Sequence, residues 1–170
     1  MEAKSSKQFR RKKISLQFLM MVSLLWLMPA CSNDVFFEEF RKTDGETWHM
    51  NELKEFPVYI NDTAATYRLI FTIRNTSDYE YSNLYIFFTS IAPGQMVTRD
   101  TIECMLADRY GRWLGKGFGK IRENRFLIKD NLFFPETGEY LFTLEQAMRN
   151  ESLKGIADVG LRLEKTGSTQ

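Results

Sequence analysis

Residues 66–74 follow a period of two in their apolar side chains, and this pattern restricts the fold more than any other feature of the chain. Tyr67, Leu69, Phe71 and Ile73 fall on one side of an extended backbone, and Thr66, Arg68, Thr72 and Arg74 fall on the other side. Successive side chains of a strand point to opposite faces, so a period of two is typical of a strand with one buried face. The segment is therefore predicted to be a half-buried β-strand.

The same alternation recurs along the chain, between turn signals at residues 75–78, 92–95 and 135–138. Only residues 144–150 have a helical pattern, and they are too few for more than one or two turns. Seven or eight short strands at this spacing predict an all-β fold, a single antiparallel β-sandwich with at most one short helix. Jelly-roll and immunoglobulin-like connectivity both stay open. The apolar positions are Leu84, Ile86 and Phe88; Ile102, Cys104 and Leu106; Phe126 and Ile128; Leu132 and Phe134; Tyr140, Phe142 and Leu144; and Val159, Leu161 and Leu163.

Residues 1–30 are predicted to be a lipoprotein signal peptide. Four consecutive cations at 10–13 precede an apolar run at 14–27, which is too short to span a bilayer as a mature helix. The run leads to Ala30 followed by Cys31, which fits a lipobox. Cleavage before Cys31 would make it the acylated first residue of the mature protein.

Two residues depart from the usual lipobox: Met28 stands where Leu is common, and Pro29 is atypical. The alternative is ordinary secretory cleavage after Ala30, which would leave Cys31 as a free thiol. Twin-arginine export is disfavoured because Arg10 and Arg11 lack the flanking residues of that signal.

The mature chain is mildly acidic. Removing residues 1–30 leaves 17 of the 23 Lys and Arg and 21 of the 22 Asp and Glu, a net charge of −4. Such a chain has no overall electrostatic attraction for nucleic acid, so membrane attachment would come from the acyl chains on Cys31. Residues 31–55 are predicted to be the lipidated N-terminus, a tether and one possible edge strand. Residues 56–165 are predicted to form the sandwich, and residues 166–170 are predicted to form a disordered tail.

Cys104 alternates with Ile102 and Leu106, so we predict a buried, structural thiol. His49, the one histidine, has no carboxylate or cysteine at a metal-ligand spacing and is interpreted as a surface residue. The sequence has no Gly-x-Ser-x-Gly elbow, His-Glu-x-x-His helix or Cys-x-x-Cys pair. We therefore expect no enzymatic activity, no metal and no cofactor.

The segment 111–120 has the most unusual composition of the mature chain. Four glycines lie within nine residues, together with Trp113, Lys116 and Phe118. The glycine spacing fits neither a phosphate loop nor a dinucleotide fingerprint. Two interpretations stay open. One is a loop anchored by its own aromatic side chains, and the other is a partner-contact loop, since Trp and Arg are enriched among interface hot spots.

Several blocks of residues, in one order, resemble the gliding-motility lipoprotein GldH family. They run through residues 74–84, 107–108 with 111–118, 134–140, 145–149 and 155–162, and the similarity extends over nearly all of residues 31–165. In this resemblance the family's lipidated cysteine corresponds to Cys31. The family has no catalytic motif to carry over.

The resemblance implies a non-enzymatic outer-membrane lipoprotein associated with gliding motility and type IX secretion, acting as a structural or assembly component. Its expected partners are the lipid bilayer, through acylated Cys31, and other envelope, motility or secretion lipoproteins. The leaflet stays open. The alternative is a surface carbohydrate-binding sandwich, which would use exposed aromatic rings as stacking platforms.

Two short sequences, residues 62–64 and 100–102, resemble the Asp-Thr-apolar motif at which Bacteroidetes-type bacteria O-glycosylate exported proteins. Thr63 lies in a predicted turn and is a candidate glycosylation site. Thr101 lies in a predicted strand, where a bulky glycan would not be accommodated.

Overall fold

The structure, a computed structural model, describes residues 35–168. This part of the chain contains no helix, and therefore none long and apolar enough to cross a membrane. Its ten strands are β1 (Val35–Lys42), β2 (Thr47–His49), β3 (Lys54–Ile60), β4 (Ala65–Thr76), β5 (Asn83–Ile91), β6 (Val97–Met105), β7 (Ile121–Phe133), β8 (Gly138–Gln146), β9 (Ser152–Lys154) and β10 (Ile156–Ser168).

Two four-stranded antiparallel sheets form the sandwich. One has the order β1-β10-β4-β7, the other has the order β3-β8-β5-β6, and β2 pairs with β9 in a separate ribbon. With the ribbon left aside, the strands pair in nested order: β1 with β10, β3 with β8, β4 with β7, and β5 with β6. This nesting is jelly-roll connectivity. The predicted single antiparallel β-sandwich is confirmed, and the connectivity that the sequence left open is the jelly roll.

The core is built from the alternating positions. In β4 the apolar residues of the period-two pattern are at most 2% exposed, and the β10 partners of Leu69, Phe71 and Ile73 are fully buried. Burying each such side chain contributes about 1.5–3 kcal/mol relative to leaving it in water. The register places Leu69, Phe71 and Ile73 opposite Leu163, Leu161 and Val159.

One end of the core is filled by a chain of aromatic rings. The ring of Tyr67 lies 5.2 Å from that of Phe36 and 5.3 Å from that of Phe134, and Phe134 lies 4.7 Å from Tyr140, all edge-to-face. Such pairs contribute about 0.5–1.5 kcal/mol beyond the area they bury. These contacts connect β1 and β4 of one sheet to β8 of the other.

The two ends of the sandwich differ. At the Val35 end, β1 begins, and the short turns at residues 61–64, 92–96 and 134–137 close the sheets. At the loop end, β4 finishes and pairs with the start of β7, which follows the long segment 106–120. These two names are kept below.

Residues 144–150, predicted as the possible helix, are not helical. Leu144 and Gln146 complete β8, and both are buried. Gln146 Nε2 donates to the carbonyl of Asn150 at 2.7 Å, and the amide of Met148 donates to Gln146 Oε1 at 2.8 Å. The Gln146 side chain therefore bonds backbone groups that a helical turn would have paired internally.

The segment predicted as a tether with one possible strand takes a larger part in the fold, as far as it lies within the described residues. β1 pairs with β10 from Val35 to Lys42. Trp48 in β2 is fully buried, and its ring N–H donates to the Glu52 carbonyl at 3.0 Å. At the other terminus, β10 continues to Ser168, past the predicted boundary at 165.

Candidate functional site

The Gly-rich segment, interpreted from the sequence either as a self-anchored loop or as a partner-contact loop, lies at the loop end. We call residues 106–120, which connect β6 to β7, the contact loop. Its first half is a hairpin in which Leu114 N donates to Leu106 O and Asp108 N donates to Arg112 O, both at 2.9 Å. This half therefore has a fixed backbone, although no long strand runs through it.

Asp108 organises the first turn of the contact loop. Its Oδ1 accepts the amides of Tyr110 at 2.9 Å and Arg112 at 3.0 Å, and its Oδ2 accepts Arg112 Nε at 2.8 Å. The Arg112 amide is the largest influence on the pKa of Asp108; burial opposes it less strongly, and the pKa lies below its usual value. The charged carboxylate is the form that these donors favour.

The second half of the contact loop forms a tip closed by two backbone hydrogen bonds between Lys116 and Glu123, at 2.9 and 2.7 Å. A Cβ on Gly117 would lie 2.2 Å from the Ile121 carbonyl oxygen, so only glycine fits there. Gly119 has a φ of 66°, in the left-handed region that favours glycine. The tip is therefore a defined turn that requires two glycines.

Two further contacts tie this tip to the body of the sandwich. The carbonyl of Lys120 accepts the amide of Ser77 at 3.1 Å. Lys120 Nζ lies 3.0 Å from Glu46 Oε2. The tip is thus held in place from the turn after β4 and from the turn between β1 and β2.

The two aromatic rings of the Gly-rich segment, Trp113 and Phe118, have different environments in the structure. Trp113 is half-buried and packs against the hydrophobic core, which fits the self-anchored interpretation. Phe118, between the two glycines of the tip, is 99% exposed. Its ring contributes almost no burial to the fold. Of the two predicted contact rings, Phe118 is therefore the one available to a partner.

The contact loop is positively charged, in contrast to the mature chain as a whole. Arg109, Arg112, Lys116 and Lys120 lie in it, against the single carboxylate of Asp108. Arg112 pairs with Asp108, and Lys120 pairs with Glu46. In the part of the chain that the structure describes, the ion pairs include neither Arg109 nor Lys116.

Glu123 lies beneath the tip, at the start of β7. Partial burial raises its pKa, but hydrogen bonds from Arg74 and Arg125, each at 2.9 Å, outweigh that effect and hold the pKa below its usual value. A cleft of about 620 Å³ opens between this part of β7 and the contact loop, with Leu114 and Lys116 on its border. A partner side chain has room to enter there.

Sequence reasoning missed two exposed side chains of the same loop, Tyr110 and Leu114, which are 67% and 56% exposed. The guanidinium carbons of Arg109 and Arg112 lie 4.7 and 5.4 Å from the centre of the Tyr110 ring. The signal was present in the sequence, because both residues flank glycine. Each also lies between cations, where an apolar residue has few core neighbours to pack against.

The other predicted residues are placed as follows. Cys31 lies outside the described residues. Thr63 is exposed in the turn between β3 and β4, and its glycosylation stays a prediction. Cys104 is fully buried, as predicted, and burial raises the pKa of its thiol to about 12. His49 is exposed in β2, with Ser152 Oγ 3.1 Å from its Nδ1.

Exposed rings are spread over several elements. Tyr59 lies in β3, Tyr85 in β5 and Phe133 in β7, apart from the two in the contact loop. Tyr59 pairs with Glu139, and the carbonyl of Tyr85 accepts the amide of Ala147. Glu139 and Ala147 are eight residues apart, which is about 26 Å at strand spacing. These two rings are too far apart to stack on neighbouring sugars. Across residues 35–168, no cluster of three or more His, Cys, Asp or Glu could hold a metal ion.

Comparison with known proteins gives a consistent result. The family described as GldH lipoprotein matches residues 35–163. The chain is 35% identical over 147 residues to a protein named gliding motility lipoprotein GldH homolog from Christiangramia forsetii, covering 82% of this chain and 90% of that protein. It is 30% identical over 146 residues to gliding motility lipoprotein GldH from Flavobacterium johnsoniae, with the same coverage of both chains. No solved structure matches the chain significantly.

Proposed function

The chain belongs to the GldH lipoprotein family, and we propose that it is a non-enzymatic outer-membrane lipoprotein of the gliding-motility and type IX secretion apparatus. It acts as a structural or assembly component. Acylated Cys31 holds it to the membrane, and the contact loop binds a protein of the same apparatus. The family membership and the names of the two relatives support the motility assignment. The loop geometry supports the mode of action.

The observation that carries the contact role is the fully exposed ring of Phe118 on a tied backbone. An isolated exposed apolar side chain is ordinary on a protein surface. This one differs because the backbone beneath it is fixed by hydrogen bonds and by the Lys120 ion pair. A partner that binds this ring would have to order the side chain but not the backbone, which favours affinity.

The position of the loop favours a protein partner over the bilayer. β4 runs from the Val35 end to the loop end over twelve residues, a distance of about 36 Å at strand spacing. Cys31 precedes Val35 by four residues in the sequence. A domain held by Cys31 would therefore present Phe118 at the far end of the sandwich, away from its own anchor.

The chemistry of the contact loop predicts the character of the partner surface. Lys116, two residues before the exposed ring of Phe118, and Arg109, beside the exposed ring of Tyr110, are free of ion pairs with other described residues. A complementary surface would carry carboxylates around an apolar pocket that accepts Phe118. Opposite charges around such a pocket raise the association rate and align the two proteins, while the buried ring supplies most of the affinity.

Acylation is tested by metabolic labelling with a fatty acid in cells that make the full chain. Wild-type protein is expected to carry the label and to fractionate with outer-membrane markers. The Cys31→Ala variant is expected to carry none and to stay unprocessed or be released. Unlabelled wild-type protein would exclude the anchor, and recovery with inner-membrane markers would exclude the outer membrane.

The contact role is tested by photocrosslinking in the same cells. A photoreactive phenylalanine analogue replaces Phe118 in one strain and Tyr59, an exposed ring on β3, in the control strain. We expect a discrete protein adduct from position 118 and not from position 59. Lys116→Glu should weaken that adduct and impair gliding or secretion. Equal crosslinking from both positions, or an unchanged adduct with Lys116→Glu, would contradict the proposal.

A further inference from the structure

The jelly roll leaves a cavity at its Val35 end. Strands β6 and β7 are the outer strands of the two opposed sheets on the same side of the sandwich, and they are not paired with each other. Between them lies a cavity of about 530 Å³, bordered also by the turns at 92–96 and 134–137. This volume is within the range of about 300–1,000 Å³ that is usual for small-molecule sites.

The walls of the cavity are mainly hydrocarbon. Three rings at its base are at most 5% exposed, and three aliphatic side chains on its sides are half-buried. Water in such a space finds few hydrogen-bond partners, so a flexible apolar chain is the better occupant. The rings are Phe88, Phe134 and Phe142, and the aliphatic side chains are Ile102, Ile128 and Leu132.

Two opposite charges border the cavity. Lys129 lies on β7 and Asp100 lies on β6, and both are exposed. Neither takes part in the ion pairs found among residues 35–168. An amphiphile with its apolar chain in the cavity would place its head group between them. A zwitterionic head group fits best, because its phosphate can meet Lys129 while its ammonium meets Asp100.

The position of the cavity indicates where such a molecule would come from. In the sheet β1-β10-β4-β7, Val35 pairs with Glu164, next to the pair of Leu69 with Lys129. Val35 and Lys129 therefore lie at the same height along the strands, three inter-strand spacings or about 14 Å apart across the sheet. Val35 follows Cys31 by four positions, and a step of four residues extends at most about 14 Å. This step rests on the proposed lipid anchor, which would keep the cavity close to the bilayer.

We propose that the cavity between β6 and β7 binds one acyl chain of a zwitterionic aminophospholipid drawn from the membrane. Lys129 and Asp100 hold the phosphoethanolamine head group at the rim. The acyl chain enters among the rings of Phe88, Phe134 and Phe142. The protein thereby holds a bilayer lipid at its Val35 end in addition to its own covalent anchor.

The test uses the acylated protein purified from membranes and reconstituted in phosphatidylethanolamine vesicles. A fraction of the lipid carries a diazirine at the methyl end of one acyl chain. In an intact bilayer this group lies in the middle of the membrane, where the folded domain cannot reach it. Crosslinked peptides are mapped by mass spectrometry after irradiation. We expect adducts on β6 and on residues 128–134.

Matched variants locate the chain and the head group. Ile102→Trp fills the cavity and should lower adduct yield at least about tenfold, whereas Leu127→Trp, on the outward side of β7, should leave it unchanged. Lys129→Glu leaves the core untouched and should lower the yield from phosphatidylethanolamine. Melting temperatures confirm that each variant is folded.

Adducts absent from β6 and β7 would overturn the proposal, as would equal yields from Ile102→Trp and Leu127→Trp. An acyl chain of Cys31 that fills the cavity carries no diazirine and would give the same negative result. Equal labelling by phosphatidylglycerol would overturn the head-group assignment. Fatty-acid labelling of Cys31 reports the anchor independently, so either proposal can fail without the other.

Discussion

The Val35 end and the loop end use aromatic side chains in opposite ways. At the Val35 end, Phe36, Tyr67, Phe134 and Tyr140 contact one another and fasten the two sheets together. At the loop end, Phe118 touches almost nothing, although the backbone that carries it is fixed by hydrogen bonds. Folding therefore requires the rings at the Val35 end and does not require the ring of Phe118.

If the proposed contact role holds, this difference separates stability from partner binding along the long axis of the sandwich. A ring that fills the core is explained by packing alone. An ordered turn that needs two glycines to present one exposed ring is not explained by packing, because removing that ring would leave the core unchanged. The proposed contact role therefore predicts that substitutions at the loop end alter binding without unfolding the protein.

The largest expected effect is at the Val35 end. Phe134→Ala removes a ring that is 3% exposed and lies 4.7–6.3 Å from Tyr140, Tyr67 and Phe142. We expect the free energy of unfolding in urea to fall by about 3–5 kcal/mol. Labelling of the Cys104 thiol should accelerate as well, because that thiol is reached only when the sandwich opens. A loss below about 1 kcal/mol would show that the two sheets do not depend on this cluster.

Trp113→Ala should have an intermediate effect. Its ring is half-buried against the core, so we expect a loss of about 1.5–2.5 kcal/mol, roughly half that of a fully buried ring. Urea denaturation measures this loss, and crosslinking from position 118 measures partner contact. Normal stability combined with a lost adduct would make Trp113 a contact residue and would weaken the division between the two ends.

Phe118→Ala should change the free energy of unfolding by less than about 0.5 kcal/mol, since a fully exposed side chain has little packing to lose. The same substitution should weaken partner binding by at least about 2 kcal/mol, a factor of about 30. Tyr59→Ala is the matched control for both measurements. A destabilised Phe118→Ala protein with unchanged binding would reverse the assignment of the loop end.

The smallest effect concerns the first turn of the contact loop. The pKa of Asp108 is held below its usual value of 3.8, chiefly by the Arg112 amide. Because the folded pKa is depressed, the stabilisation of the turn is present above pH 3.8 and is lost as the pH falls through the folded pKa. The Tyr110 and Arg112 amide resonances should therefore shift with a midpoint below pH 3.8. The Asp108→Asn variant should show no such titration, and a midpoint above 3.8 would contradict the assignment.

Much of the fold could be predicted because each strand has a local sequence pattern. Tyr67, Leu69, Phe71 and Ile73 occupy every second position of β4, and all four are buried. Cys104 was placed in the core by the same argument. The jelly-roll connectivity was beyond such reasoning, because pairs such as β1 with β10 join residues more than 100 positions apart, and alternation carries no information about the partner strand.

The misinterpreted segments show what local patterns omit. Trp48 stands in a polar segment, yet it is fully buried because the β2–β9 ribbon places its ring in the hydrophobic core. Residues 144–150 were expected to be helical, but Gln146 bonds the local backbone with its side chain. In the contact loop, the composition drew attention to a segment that carries a fully exposed ring. It could not show which ring faces inward, because that depends on how Gly117 and Gly119 set the tip against β7.

The pairing of the first described strand with the last has a mechanical consequence. Val35 to Lys42 lie antiparallel to Asp158 to Glu164, and the hydrogen bonds between them run perpendicular to the strands. A pull between residue 35 and the contact loop is directed along β1, so it loads these bonds together in shear and does not peel them one by one. Resistance to such a pull depends on the unfolding rate under load and not on equilibrium stability. A protein tethered at Cys31 and gripped at Phe118 would therefore transmit tension through the long direction of its sheets.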